Sequence, residues 1–134
     1  MDLQDARAIV TGGASGIGAA CVEQLRRAGA RVVALDLTEA PAADASFHVD
    51  VADEDAVVAG FREAVGRLGG LDVAVLSAGV GGSAPLLDMT TQEWDRVMNV
   101  NLRGAFVSLR EAARAMTGGG AIVAVTSISG FLNE

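Results

Sequence analysis

The sequence has no tyrosine, a single cysteine (Cys21), a single histidine (His48), one tryptophan and two prolines among its 134 residues. One cysteine cannot build a disulfide framework, and a lone cysteine with a lone histidine cannot furnish the ligand set of a zinc site. No metal site is therefore expected. Basic residues are also scarce: ten face seventeen acidic ones, for a net charge of −7. No basic stripe is available for the phosphates of a nucleic acid or for an anionic membrane surface. No apolar run reaches the ~18 residues of a membrane-spanning helix. Met1–Asp5 (M-D-L-Q-D) shows neither the basic n-region nor the apolar h-region of a secretory leader, so a cytoplasmic protein is the expectation. Low-complexity segments are missing as well. Hydrophobic residues make up 51% of the chain, enough for one domain spanning residues 1–134 with a core of its own.

What is present is organised around Ala8–Gly18, A-I-V-T-G-G-A-S-G-I-G. A short apolar run breaks into a glycine-rich turn, and an Ala- and Leu-bearing helical pattern follows to Ala28. Strand, glycine turn and helix can cradle a pyrophosphate, because glycines let the backbone approach the ligand and the helix N-terminus presents free N–H groups. The spacing is G-x-x-x-G-x-G, one residue longer between the first two glycines than the G-x-G-x-x-G fingerprint. A tight turn between strand and helix has the same composition. Asp36 adds to the nucleotide reading. It ends the apolar run Arg31–Leu35, 18 residues beyond Gly18, where a carboxylate can accept hydrogen bonds from both hydroxyls of an adenosine ribose and repel a 2′-phosphate. Neither Ser15 nor Leu37 offers a positive charge to such a phosphate. NAD is expected over NADP.

The rest of the chain alternates. Strands are predicted at Arg7–Val10, Arg31–Leu35, Ser46–Val49, Leu71–Leu76 and Ala121–Val125, short and apolar as buried parallel strands are. In the first helix Ile17, Cys21, Leu25 and Ala28 form one stripe, which makes Cys21 a core residue, and Gly29 sits at the C-terminal cap position. Asp53 is placed to cap a second helix whose apolar face is Val57, Phe61, Ala64, Val65 and Leu68, with Gly69-Gly70 as its stop. Thr90-x-x-Glu93 reads as a capping box opening one long helix to about Met116. Its predicted stripe runs Trp94, Val97, Met98, Asn101, Ala105, Leu109, Ala112, Met116. Asn101 is the polar member of that stripe, an amide that must be hydrogen-bonded, as a structural tie or as part of a site. His48 has no metal-ligating neighbours in sequence and reads as a strand residue. Five strands alternating with helices predict an α/β fold: a doubly wound, Rossmann-like parallel sheet of order 3-2-1-4-5, with its ligand crevice where the first and fourth strands diverge.

These residues resemble the short-chain dehydrogenases/reductases. Thr11-Gly12-x-x-x-Gly16-x-Gly18 is similar to that family's dinucleotide motif, which accounts for the extra residue in the glycine spacing. The resemblance implies that Gly12, Ser15, Gly16, Ile17 and Gly18 approach the cofactor, that Asp36 and Leu37 meet its adenosine ribose, and that Asp50 and Val51 contact adenine. Leu76-Ser77-Ala78-Gly79 corresponds to the family's N-N-A-G, with Ser77 in place of an asparagine, and adds Ser77, Ala78 and Gly79 to the cofactor set. Asn101-Leu102-x-Gly104 matches the segment of the catalytic asparagine, and Ser127-x-x-Gly130 that of the catalytic serine.

The family's Tyr-x-x-x-Lys, expected about a dozen residues after the serine, is not in this sequence. The implied mechanism uses that tyrosine as general acid/base at the substrate oxygen, with Ser127 orienting the oxygen and Asn101 anchoring a proton-relaying water chain. The expectation is therefore the N-terminal part of a longer enzyme, its sheet incomplete on the C-terminal side, with the fourth and fifth strands uncovered on one face. The implied function is an NAD-dependent oxidoreductase moving a hydride between cofactor and a secondary alcohol or ketone, with this chain inactive by itself. The alternative is a non-catalytic NAD-binding module or fragment. A homo-oligomer, dimer or tetramer, is expected, with the long helix as a contact.

Overall fold

A computed structural model describes residues 2–82 and 84–127. Five strands form one parallel sheet: β1 (Arg7–Thr11), β2 (Arg31–Asp36), β3 (Ala45–His48), β4 (Val73–Leu76) and β5 (Ala121–Ala124). Their order is β3-β2-β1-β4-β5, as predicted, and every pairing is parallel. The register sets Thr11 beside Leu35 and Leu76, so β1, β2 and β4 end at one level.

Side chains alternate across the sheet and feed two cores. Ala8, Val10, Val32, Val73 and Val75 pack with Val22 of helix α1 (Gly16–Arg27). Ile9, Val33, Leu35, Ala74 and Leu76 pack on the other side with α2 (Glu54–Leu68) and with Val107 and Ala112 of a later helix. Helices therefore cover both faces, which is the doubly wound arrangement.

The caps follow sequence chemistry. At the end of α1, Gly29 adopts φ +89; its N–H bonds to the Arg26 carbonyl, and the Ala30 N–H to that of Leu25, the Schellman pattern. Asp53 accepts the N–H groups of Asp55 and Ala56 at the start of α2, as expected of an N-cap. Thr90 likewise accepts the Glu93 N–H at 3.1 Å. The Glu93 carboxylate, however, turns to Arg96 rather than back to the cap, so only half of the capping box forms.

Three expectations change. The long helix is not continuous: α3 (Thr91–Met98) passes into a π-helical segment, Asn99–Gly104, and then α4 (Ala105–Ala115). Its buried face is Gly104, Val107, Ser108 and Ala112, while Trp94 and Leu109 are 53% and 46% exposed and Asn101 is also exposed. Small residues there admit close packing, which a search for apolar stripes does not detect. In α1 the fully buried residue is Val22; Ile17 is 61% exposed and Ala28 is exposed. Ile17 belongs to the turn at the helix start, where it faces a cleft rather than the sheet. Cys21 is half-buried against the α1-side core. Finally, β4 is buried along its whole length because α1 and its core partners reach Val73 and Val75. Its neighbour β5 is the more exposed strand, with Val123 53% exposed.

Candidate functional site

At the carboxyl ends of the strands, between the diverging β1 and β4, lies a cleft of about 360 Å³. Its position is the topological switch point of the sheet, the place where open α/β sheets take ligands.

One wall is the glycine-rich turn. Gly12 has φ +68, and a Cβ there would sit 2.7 Å from the backbone N and Cα of Ala78, so only glycine lets the two strand ends approach. A Cβ on Gly18 would overlap the Gly12 carbonyl oxygen. Gly18 thus packs α1 onto the turn and does not itself line the cleft. Ser15 caps α1 in extended conformation with no side-chain capping bond, leaving its hydroxyl and the first-turn N–H groups at the cleft.

Asp36 forms the second wall at the end of β2. One of its oxygens accepts the Ala14 N–H at 3.0 Å; the other accepts the Thr38 N–H at 3.0 Å and the Thr38 hydroxyl at 3.3 Å. The carboxylate therefore holds the glycine turn to the β2 terminus. Beyond it, Asp50 folds its carboxylate onto the Ala52 N–H at 2.9 Å, and Val49 and Val51 give an apolar surface. His48, on β3, uses Nδ1 against the Leu37 carbonyl at 2.9 Å, consistent with a strand residue.

The third wall is the segment after β4. The buried Thr11 hydroxyl accepts the N–H groups of Ser77 at 3.2 Å and Ala78 at 3.3 Å. Asn101 then grips the backbone of Val80. Its Oδ1 accepts the Val80 N–H and its Nδ2 donates to the Val80 carbonyl, both at 2.8 Å. Arg96 donates to the Gly81 carbonyl at 2.6 Å while paired with Glu93, whose carboxyl is held below its ordinary value by those Arg96 hydrogen bonds.

Of the twelve residues expected at the cofactor, all but Gly18 line this cleft: Gly12, Ser15, Gly16, Ile17, Asp36, Leu37, Asp50, Val51, Ser77, Ala78 and Gly79. Sequence reading omitted Leu35, Val49, Val80, Val100 and Val125, apolar positions whose composition carries no chemical signature. Neither Asn101 nor Ser127 lines the cleft, although their neighbours Val100 and Val125 do. Gly130, of the serine motif, lies outside the described residues. Among the described residues the lining carries two carboxylates and no cationic side chain. Among the described residues there is no cluster of three or more potential metal ligands, and no helix is long and apolar enough to cross a membrane.

Comparison with known proteins places this geometry. The short chain dehydrogenase family profile matches residues 6–134. D-threitol dehydrogenase of Mycolicibacterium smegmatis is 39% identical over 134 residues, taking in 90% of this chain and 52% of that protein. Cis-4-hydroxycyclohexanecarboxylate dehydrogenase of Sinomonas cyclohexanicum is 40% identical over 141 residues, 95% of this chain and 57% of that one. A short-chain dehydrogenase/reductase from Serratia marcescens superposes with a TM-score of 0.92 at 32% identity, covering 99% of this chain and 60% of that chain. The chain spans about half the length of the curated relatives it matches. With the motif order, the sheet topology and the match over residues 6–134 in agreement, the chain belongs to the short-chain dehydrogenase/reductase family.

Proposed function

We propose that the cleft holds NAD, and that the protein is an NAD-dependent oxidoreductase acting on a secondary alcohol or its ketone. Membership of this family makes it an oxidoreductase-family protein with a cofactor of the NAD(P) type. The observation that carries the finer reading is Asp36: its carboxylate stands at the β2 terminus, on a cleft whose described lining residues include no cationic side chain. That charge pattern suits a ribose with two free hydroxyls and opposes a 2′-phosphate. The turn from Gly12 to Ile17 and the α1 N-terminus suit a pyrophosphate, and Val49 and Val51 an adenine ring.

When bound, NAD supplies the acceptor or donor of the hydride. Ser127 is assigned to orient the substrate oxygen, and Asn101 to anchor the waters that carry its proton. The Asn101 side chain is already committed to Val80, so its contribution to the relay is made through its backbone. The sequence contains no tyrosine, and the general acid/base is accordingly not among these residues. General acid–base catalysis contributes ~10²–10⁴-fold, so the chain alone is expected to bind NAD without turnover. The alternative is a non-catalytic NAD-binding module.

Members of the family commonly form oligomers. Leu102, Phe106 and Leu109 share an exposed face of the π segment and α4, and this face is proposed as a contact in a homo-oligomer.

The test of binding is calorimetric titration with NAD and NADP. Saturable NAD binding at least about tenfold tighter than NADP, lost in Asp36→Ala, is expected; no NAD binding would overturn the reading. For the reaction, NADH absorbance is followed with secondary alcohols on the complete protein. Turnover supports the dehydrogenase, and NAD binding without turnover would leave only the module.

A further inference from the structure

We propose that Gly104 is a positioning residue for nucleotide binding, because it lets one π-helical turn fix the spacing between two walls of the cleft. The inference rests on the dinucleotide reading above.

Gly104 has φ −62 and ψ −41, ordinary helical values that any residue adopts. Glycine is therefore not required by backbone conformation. It is required by proximity: a Cβ at this position would lie 2.7 Å from the Val51 carbonyl oxygen and 3.1 Å from the Val51 carbonyl carbon and Cβ. Val51 lines the cleft on the side of β3. Three residues earlier in the same π segment, Asn101 holds both the N–H and the carbonyl of Val80, on the β4 side of the cleft. Val100, the neighbour of Asn101 in that segment, lines the cleft itself. Arg103 and Arg110 both reach Glu54 at the start of α2, at 3.7 and 2.9 Å, and so pin the segment near the chain that carries Val51.

Val51 and Val80 thus hang from the same six residues. Protein interiors are close-packed, so an added methyl at position 104 cannot be absorbed without displacing one attachment against the other. The adenine wall or the Val80 wall must then move, and affinity for the adenosine half of the ligand must fall.

AMP serves as the probe, titrated calorimetrically into the wild-type protein, Gly104→Ala and Gly66→Ala. Gly66 is an exposed glycine of α2 whose Cβ would meet nothing within 4 Å, and it controls for a methyl added to a helix. The expected result is AMP binding about tenfold weaker in Gly104→Ala and unchanged in Gly66→Ala, with urea unfolding confirming that Gly104→Ala is folded at the assay temperature. A purely structural role would lower the unfolding midpoint and leave AMP affinity within about twofold, which overturns the proposal. A measurement on the wild-type protein decides the matter if Gly104→Ala does not fold. AMP should slow amide hydrogen exchange at Val51, at Val80 and across Val100–Gly104 together; protection at Val51 without any change in the π segment overturns the coupling. Failure of the wild-type protein to bind AMP would instead remove the dinucleotide reading, and this inference with it.

Discussion

The carboxylate of Asp36 accepts the backbone N–H of Ala14 at 3.0 Å, so the last residue of β2 holds the glycine-rich turn that follows β1. The group assigned to select the cofactor is thereby also the group that shapes its cradle. Removing it affects two things at once, and a substitution beside it affects only one.

That distinction gives the first prediction. Leu37 lines the cleft and is 56% exposed, so Leu37→Arg adds a cation without disturbing the Asp36–Ala14 bond. NADP affinity should rise about tenfold while NAD affinity changes little, since a guanidinium pairs with a phosphate through charge-assisted hydrogen bonds. Parallel calorimetric titrations check it. Equal changes for the two cofactors would place the 2′-position elsewhere.

Acid stability depends on the opposite end of the sheet. Asp72 accepts Arg7 Nε at 2.7 Å, Arg7 Nη2 at 2.6 Å and the Arg7 N–H at 2.9 Å, and these hydrogen bonds hold its carboxyl at about 2. A depressed carboxyl contributes its full stabilisation above the unfolded value of ~3.9 and loses it as pH falls toward the folded value. Urea midpoints of wild type and Asp72→Asn should therefore differ at pH 6 and converge between about pH 4 and pH 2. A pH-independent difference would assign the loss to packing rather than charge.

Thr11 joins β1 to the chain after β4 through one buried hydroxyl. Thr11→Val keeps the shape and removes the acceptor for the Ser77 and Ala78 N–H groups. Leaving buried donors unpaired costs about 1–3 kcal/mol, read by chemical denaturation, and NAD binding should weaken with it. An unaltered midpoint would mean those amides find other partners.

Ser108 is 1% exposed in α4, and its hydroxyl is a buried side-chain oxygen with no hydrogen-bond partner. Ser108→Ala removes an unsatisfied group at nearly the same volume, so stability should rise by about 1 kcal/mol. Destabilisation of that size in the same urea experiment would show that the hydroxyl is bonded in solution.

Much of this architecture was legible in the chain. The apolar runs, the Asp53 and Thr90 caps, and the glycines at 29 and 69 act through neighbours a few residues away, and local chemistry of that kind can be read from sequence. The G-x-x-x-G-x-G turn and Asp36 were legible for a related reason: sheet order sets the ends of β1 and β2 side by side once both are recognised as parallel strands. By contrast, the buried face of the last helical stretch was only partly legible: Ala112 is buried as expected, but Gly104 and Ser108 are small rather than apolar and Val107 lies off the predicted stripe, while the larger Trp94 and Leu109 face outward.

The sequence by itself determined the type and order of the elements, the family, and the residues that make the cleft polar, because each depends on periodicity or on a motif of fixed spacing. Only the tertiary structure decided that the last long helix contains a π turn, that Asn101 is spent on the Val80 peptide, and that Gly104 abuts Val51. Those relationships join residues 21 and 53 positions apart. Close packing sets them, and close packing depends on where two distant backbones meet rather than on the propensity of either one.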